Sequence, residues 1–174
     1  MGYHIEEMIS KEKIEARVCE LAEKINEDYE GKELHLVIIL KGSVFFACEL
    51  SKRITVPVTM DFIAVSSYGD GMVSAGDIMV KKELDEDIKG KEVLIVEDII
   101  DSGRTLYHLK RLLLARSPKS LRIATLLDKP ERRVSDIQID YCGFKIPDKY
   151  VVGYGLDYAQ RYRNLSYIGA VIQD

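Results

Sequence analysis

The fold is decided by the stretch from Val93 to Thr105, which reads VLIVEDIIDSGRT. It begins with four apolar residues, three of them β-branched, and this run predicts a strand buried on both faces. Three leucines follow at helical spacing: Leu106, Leu109 and Leu113. They predict a helix that begins around 103–106. Glu97 and Asp98 therefore stand at the carboxyl end of a buried strand, which is where open α/β sheets bind ligands.

The same stretch carries the groups that bind a phosphorylated sugar. A helix N-terminus offers free backbone N–H groups and a partial positive charge. Ser102 and Thr105 add hydroxyls there, and Gly103 allows close approach of the backbone, so the loop can hold a phosphate. Glu97 and Asp98 suit ribose hydroxyls and a hard cation such as Mg2+. Phosphate, sugar diol and metal together describe a phosphoribosyl group.

Taken singly, these residues have a simpler explanation. Asp101 or Ser102 would cap the helix, and the acid pair would be solvated loop residues. The whole string resembles the phosphoribosyl-diphosphate-binding motif of type I phosphoribosyltransferases: a hydrophobic strand, two acids, two spacers, and an acid followed by small, hydroxyl and glycine residues. Two other phosphate motifs do not occur. The sequence has no G-x-x-x-x-G-K-[ST], and Gly69, Gly71 and Gly76 lack the G-x-G-x-x-G spacing.

Length and composition fit a single domain, residues 1–174, with its own core. The chain is 47% hydrophobic and 31% charged, and its net charge of -4 comes from interspersed acids and bases. Because no basic face stands out, we expect neither nucleic acid nor a membrane as partner. Cys19, Cys48 and Cys142 lie far apart, which argues against zinc or disulfide architecture. No signal peptide or long apolar run is evident, so we expect a cytoplasmic protein.

Strands alternate with helices along the chain, which predicts an α/β fold with a mainly parallel, twisted sheet and helices on both faces. Strands are predicted at 34–40, 56–65, 78–83, 91–97 and 121–127. Helices are predicted from Ser10 to about Gly31, near 43–53 and near 103–116. The apolar alternation of 58–64 is typical of an exposed or edge strand, and 78–83 is expected to pair with it antiparallel. Residues 66–76 are small and polar, and fit a mobile flap or a plain solvated hairpin connection.

A second strand end repeats the pattern of the first. The run from Leu36 to Leu40 is followed by Lys41, Gly42 and Ser43, and then by a helix. A lysine, a glycine and a helix N-terminus form another anion site, although Ser43 is equally explained as a plain N-cap. The segment resembles the loop that contacts pyrophosphate in the purine phosphoribosyltransferases, where the lysine-glycine peptide can be cis.

Lys129 and the aromatic segment 149–158 carry groups that can bind a nucleobase. Lys129 follows a buried strand, and residues 149–158 interleave tyrosines with glycines. An ammonium can donate to a carbonyl oxygen and a ring can stack on a base, whereas the simpler explanation is a surface lysine and core tyrosines. The flanking sequence resembles the hypoxanthine-guanine phosphoribosyltransferase family in four segments: 57–62, 66–68, 128–133 and 142–158. The whole resemblance runs from about Leu34 to Asp174.

The resemblance implies a role for each matched residue. Asp101 would be the general base that accepts the proton of the purine N7 while N9 attacks the anomeric carbon. Glu97 and Asp98 would hold the ribose hydroxyls and Mg2+, and Asp157 would hold a second Mg2+ beside the purine. The 5'-phosphate would be bound by Ser102, Gly103, Arg104 and Thr105. The purine would be bound by Lys129, Tyr150, Val151 and Asp157. The diphosphate would be bound by Lys41, Gly42 and Arg163, with Ser67 and Tyr68 of the flap as contacts.

The implied function is purine salvage, the Mg2+-dependent transfer of the 5-phosphoribosyl group from phosphoribosyl diphosphate to N9 of hypoxanthine or guanine. The products would be IMP or GMP and diphosphate. The family also implies a homodimer or homotetramer, a small hood formed by terminal segments with its purine-binding part at about 129–165, and a flap hairpin that closes as a lid.

Two alternative functions share the acidic loop. A pyrimidine phosphoribosyltransferase that doubles as an RNA-binding regulator has no reason for Lys129 together with residues 150–157. A non-catalytic nucleotide-binding module has no need of Asp101.

Overall fold

Helices and strands alternate through most of the described chain, residues 2–67 and 78–174 of a computed structural model. The strands are β1 (Tyr3–Ile9), β2 (Leu34–Ile39), β3 (Val58–Ser67), β4 (Ile78–Lys82), β5 (Glu92–Ile100), β6 (Ser120–Asp128), β7 (Tyr141–Lys145), β8 (Val151–Val152) and β9 (Ile168–Gln173). The helices are α1 (Lys11–Asp28), α2 (Val44–Ser51) and α3 (Arg104–Leu114). These bounds confirm the predicted strands and helices, each to within a few residues.

The main sheet has the strand order β4-β3-β2-β5-β6-β7. All its neighbouring strands run parallel except β4, which pairs antiparallel with β3. Parallel neighbours need crossover connections, and α2 and α3 supply two of them. The predicted mainly parallel sheet is confirmed. Because β2, β5 and β6 are neighbours, their carboxyl ends and the loops that follow them meet at one edge of the sheet.

Helices cover both faces of this sheet, as predicted. On β2, Leu36 and Ile38 belong to the core with α1 and α2, while Val37 and Ile39 belong to the core with α3. The longest helix, α1, begins after Ser10, whose side chain caps it, and buries only one apolar face. Among the described residues, no helix combines the length and apolarity that crossing a membrane requires.

The third strand of the chain departs from the apolar pattern read from its sequence. Met60 of β3 is 41% exposed, whereas Asp61 is only 3% exposed, so the apolar alternation does not mark the buried face. Asp61 is buried because its carboxylate accepts the N–H groups of Asp85 and Glu86, each at 2.9 Å, and so holds the connection from β4 to β5. The antiparallel pairing of β3 with β4 is confirmed. Ser67 ends β3, and Tyr68 with the rest of the predicted flap lies outside the described residues.

A second sheet joins the two ends of the chain. It has the order β1-β9-β8, and both of its pairings are antiparallel. Its strands were not predicted from the sequence, and neither was β7 of the main sheet. The reason is visible in β1, which is mostly exposed and pairs with a strand at the other end of the chain, Tyr3 lying opposite Gln173. The expected hood of terminal segments is nevertheless present.

Candidate active site

The loops after β2, β5 and β6 line two adjoining cavities at the carboxyl edge of the sheet. The loop cavity, of about 380 Å³, lies between the β2–α2 loop, the end of β5 and the start of α3. The hood cavity, of about 510 Å³, lies between the ends of β5 and β6 and the segment around β8. Asp98, Ile99, Asp101 and Asp157 line both cavities. The two cavities are therefore parts of one site, and three carboxylates stand between them.

Gly103 sets the geometry of the loop before α3. It is the N-cap of the helix, and its φ of 78° lies in the left-handed region that favours glycine. The explanation in which Asp101 or Ser102 is the N-cap is therefore wrong, and Ser102 Oγ reaches only the Arg104 N–H, at 3.4 Å. The first turn keeps N–H groups for a ligand. Ser102, Gly103 and Thr105 line the loop cavity, whereas Arg104 is exposed and lines neither cavity.

Glu97 and Asp98 form a half-buried acid pair at the end of β5. Glu97 Oε1 accepts the Asp98 N–H at 2.9 Å and the Ser43 hydroxyl at 3.1 Å. Ser43 thus donates to the acid pair, and its side chain does not cap α2. Burial raises the pKa of Glu97 well above its usual range, with the charge of Asp98 adding to the shift, and burial also raises the pKa of Asp98. A cation or a hydroxyl donor beside the pair would favour its ionised form.

The Lys41–Gly42 loop packs directly against this acid pair. The cis peptide bond is Leu40–Lys41, one residue before the lysine-glycine bond that the resemblance suggested. A methyl group at Gly42 would overlap the Asp98 carboxylate, and one at Gly155, whose φ is 103°, would overlap the Gly42 carbonyl. Only glycines allow these three segments to approach so closely. Lys41 and Gly42 line the loop cavity.

Arg163 and Asp157 close the far side of the loop cavity. Arg163 Nη2 lies 2.9 Å from Asp157 Oδ1, and its Nη1 donates to the Gly155 carbonyl at 2.7 Å. The other Asp157 oxygen accepts the Gln160 N–H at 2.8 Å. These contacts hold a cation in the lining of the loop cavity, beside a carboxylate that lines both cavities.

The acid pair suits the partly hydrated coordination that is usual for Mg2+, and in the described part of the chain it does not belong to a closed cage of protein ligands. Within the described ranges, no three histidine, cysteine or acidic side chains converge closely enough to hold a metal. Asp157 therefore does not complete a cluster with Glu97 and Asp98. Mg2+ usually keeps several waters and binds through one or two carboxylates plus substrate phosphates. A half-buried acid pair with raised pKa values matches that mode, since a divalent cation would offset the repulsion between the carboxylates.

Lys129 is buried in the hood cavity, so the interpretation as a surface lysine is wrong. Its side chain is only 9% exposed, and its Nζ lies 3.4 Å from Asp101 Oδ1 and 3.8 Å from Asp148 Oδ1. A buried ammonium is costly unless paired, and these two carboxylates supply the pairing. The ammonium therefore stands beside Asp101, at the boundary of the two cavities.

Tyr150 lines the hood cavity with an open ring face. The residue is 56% exposed, so it is not a core tyrosine. Its ring meets Tyr158 edge to face at 5.5 Å, and its hydroxyl donates to the Asp157 carbonyl at 3.3 Å. Val151, the next residue, is buried in β8 and also lines the cavity. An open aromatic face beside a strand edge can bind a planar ring.

The hood cavity contains further residues that sequence reasoning missed: Arg132, Asp148 and Leu156. Arg132 Nη1 lies 3.2 Å from Asp148 Oδ2, so Asp148 pairs with two cations at once. Asp148 lies inside the segment that carried the resemblance. Its position beside Lys129 follows from the pairing of β6 with β7, which no local pattern reveals.

The fold and the site define an α/β protein whose carboxyl sheet edge presents groups suited to a phosphate, a sugar and a planar ring. The sequence profile of the phosphoribosyl transferase domain family matches residues 4–159. The chain belongs to this phosphoribosyltransferase family, which confirms the resemblance read from the sequence.

The relatives cover nearly the whole chain. The hypoxanthine phosphoribosyltransferase of Salmonella typhimurium is 52% identical over 99% of this chain and 98% of its own length. The hypoxanthine-guanine phosphoribosyltransferase of Mycobacterium tuberculosis is 49% identical over 94% of this chain and 84% of its own. A solved hypoxanthine-guanine phosphoribosyltransferase from Bacillus anthracis superposes with a TM-score of 0.93 at 45% identity, covering 99% of this chain and 100% of that one.

Proposed function

We propose that the protein transfers the 5-phosphoribosyl group from phosphoribosyl diphosphate to N9 of hypoxanthine or guanine. IMP or GMP and diphosphate are the products, and the reaction is one of purine salvage. The observation that carries the proposal is the buried Lys129 ammonium, 3.4 Å from Asp101 in a cavity continuous with the α3 loop. A cationic donor that could bind a 6-oxo group thus lies next to the loop that we propose binds phosphate. Relatives named for the same activity cover 94–99% of this chain.

The loop cavity would bind the phosphoribosyl diphosphate. The free N–H groups of the α3 N-terminus and the hydroxyls of Ser102 and Thr105 would hold the 5'-phosphate. The Glu97 and Asp98 carboxylates would accept hydrogen bonds from the ribose hydroxyls. At the other end of the cavity, Lys41, Gly42 and Arg163 would receive the diphosphate.

The hood cavity would bind the base. Lys129 would donate to the purine O6, and the Tyr150 ring would stack on the base. The Val151 carbonyl would accept from the base edge, including the exocyclic amine of guanine. Adenine should be a poor substrate, because its 6-amino group presents a donor to the Lys129 ammonium.

Transfer requires one proton acceptor between the two cavities. As the N9–C1' bond forms and the C1'–O bond to diphosphate breaks, Asp101 would take the proton from N7. Positive charge develops on the ribose at that moment, and the Glu97 and Asp98 carboxylates would stabilise it. Glu97 and Asp98 would hold one Mg2+ and Asp157 a second, and when bound these ions neutralise charge on the departing diphosphate.

We also propose that the chain forms one domain over residues 1–174 and assembles as a homodimer or homotetramer, as the family resemblance implies. The interspersed charges support the proposal that neither nucleic acid nor a membrane is a partner, and the absence of an evident signal peptide in the sequence supports a cytoplasmic location.

A panel of bases tests the proposal. The purified protein is incubated with phosphoribosyl diphosphate, Mg2+ and one of hypoxanthine, guanine, xanthine, adenine or uracil, and nucleotides are identified by mass spectrometry. IMP and GMP should form, and chelation of Mg2+ should stop their formation. UMP as the main product would favour a pyrimidine enzyme. Binding of phosphoribosyl diphosphate without any product would indicate a non-catalytic module.

A further inference from the structure

The segment that follows β6 is hydrogen-bonded to the loop that precedes α3. We call residues 129–135 the brace. The Lys129 N–H donates to the Ile100 carbonyl at 3.0 Å. The Val134 and Ser135 N–H groups both donate to the Ser102 carbonyl, at 3.0 and 3.2 Å. Main-chain hydrogen bonds therefore join the brace to the two neighbours of Asp101 in the chain, Ile100 and Ser102.

Arg133 makes the side-chain connection within the brace. Its Nη2 pairs with the Asp128 carboxylate at the end of β6, and its Nε donates to the Asp101 carbonyl at 3.2 Å. Its aliphatic part covers Gly103, where an added Cβ would lie only 3.0 Å from Arg133 Cδ. One guanidinium thus bridges the fixed end of a central strand and the main chain of the residue proposed as the base.

Burial makes this bridge rigid. The Asp128 side chain is 6% exposed and that of Arg133 is 20% exposed, so water competes weakly for their pairing. A guanidinium is planar and presents donors along two edges, which lets it bind Asp128 and Asp101 together. A lysine would keep the charge against Asp128 but offers a single point of attachment on a flexible stem.

We propose that Arg133 is a positioning residue for phosphoribosyl transfer, an inference that rests on the proposed function. Arg133 fixes the Asp101 main chain to Asp128 and thereby sets the proton-accepting carboxylate relative to the amides that bind the 5'-phosphate. Arg133 lines neither cavity. Its removal should affect the transfer step, since a misplacement of about 1 Å can cost about 10²-fold in rate. Of the groups proposed to bind the purine, Tyr150 and Val151 belong to a different segment, and Lys129 is held by the hydrogen bond of its own N–H to the Ile100 carbonyl.

Two substitutions separate positioning from folding. Arg133→Lys keeps the charge on Asp128, so it should unfold near the wild-type temperature while kcat falls about 10- to 100-fold and KM for hypoxanthine changes little. Arg133→Ala should lose at least as much kcat, and added guanidinium ion should restore part of it. Wild-type kcat in Arg133→Lys would overturn the proposal. Loss of kcat that guanidinium does not restore in a folded Arg133→Ala protein would also contradict it.

Arg116 offers a matched control. It makes a two-pronged ion pair with Glu83, with both N–O distances at 2.9 Å, beyond the C-terminus of α3, and it lines neither cavity. Arg116→Lys and Arg116→Ala should therefore keep wild-type kcat and KM. An equal loss of kcat in the Arg116 and Arg133 variants would mean that the loss of any arginine ion pair has this effect, and the positioning role would be rejected.

Hydrogen exchange tests the brace independently of the reaction. In Arg133→Lys, the amides of Val134, Ser135 and the Ser102–Thr105 loop should exchange faster than in the wild type, with β2 and β5 unchanged. Unaltered exchange would show that Arg133 does not hold the loop. If the wild-type protein made no nucleotide at all, the proposed function would fail, and this exchange result would still decide whether the brace exists.

Discussion

The loop cavity and the hood cavity are assembled in opposite ways. The loop cavity takes its hydroxyls, its helix N-terminus and three of its four acids from one continuous segment, residues 97–105, and Asp157 is the fourth acid. The hood cavity takes Lys129 from the segment after β6, and Asp148 and Tyr150 from the connection between β7 and β8. A continuous segment can bind through its main chain, which substitution leaves in place. A site assembled from separate segments depends on individual side chains. We therefore expect single substitutions to reduce activity or substrate binding more in the hood cavity than in the loop cavity.

Asp101 lines both cavities, and its replacement should give the largest effect. Asp101→Asn keeps the shape of the side chain but removes the proton acceptor, so kcat should fall by about 10² to 10⁴. Binding of phosphoribosyl diphosphate, measured by calorimetry, should stay near the wild-type value. Wild-type turnover in the purified variant would remove Asp101 from the mechanism.

Lys129 tests the hood cavity alone. Lys129→Gln replaces a charged donor by a neutral one, and kcat/KM for hypoxanthine and guanine should fall about 10- to 100-fold. KM for phosphoribosyl diphosphate should change by less than about 3-fold, because Lys129 does not line the loop cavity. Equal losses for both substrates would mean that Lys129 only supports the structure beside Asp101.

Two substitutions of Tyr150 distinguish the contribution of its ring from that of its hydroxyl. Tyr150→Ala removes the stacking surface, and KM for the purine should rise about 10-fold. Tyr150→Phe is the matched control, since it loses only a 3.3 Å hydrogen bond to the Asp157 carbonyl. Its KM should change by less than about 3-fold. If both variants lost the same amount, the hydroxyl would be the recognising group and stacking would be excluded.

Ser102 should show the smallest effect, which makes it the sharpest test of main-chain binding. Ser102→Ala removes one neutral hydroxyl while every backbone N–H of the α3 N-terminus remains, so KM for phosphoribosyl diphosphate should rise by only about 2- to 5-fold. A loss as large as that of Lys129→Gln would show that side chains carry the loop cavity as well, and the contrast between the cavities would disappear.

The same contrast explains how much the sequence could predict. The strand, acids and helix around Glu97 were predictable because buried runs and helical spacing are local signals. The pairing of Lys129 with Asp101 was not, because it depends on β5 and β6 being neighbours in the sheet. The burial of Asp61 depends on N–H groups more than 20 residues away. The hood strands escaped notice for a similar reason, since β1 is stable only against β9.

Calorimetric binding of IMP and of ribose 5-phosphate shows whether the two cavities form one site that a nucleotide spans. The two ligands share the phosphoribosyl group, and only IMP reaches the hood cavity. We predict that IMP binds at least about 10²-fold more tightly than ribose 5-phosphate, because the base adds its binding without a second loss of rigid-body freedom. We also predict that Lys129→Gln weakens IMP alone. Equal affinities for the two ligands in the wild type, or equal losses in the variant, would contradict a shared site.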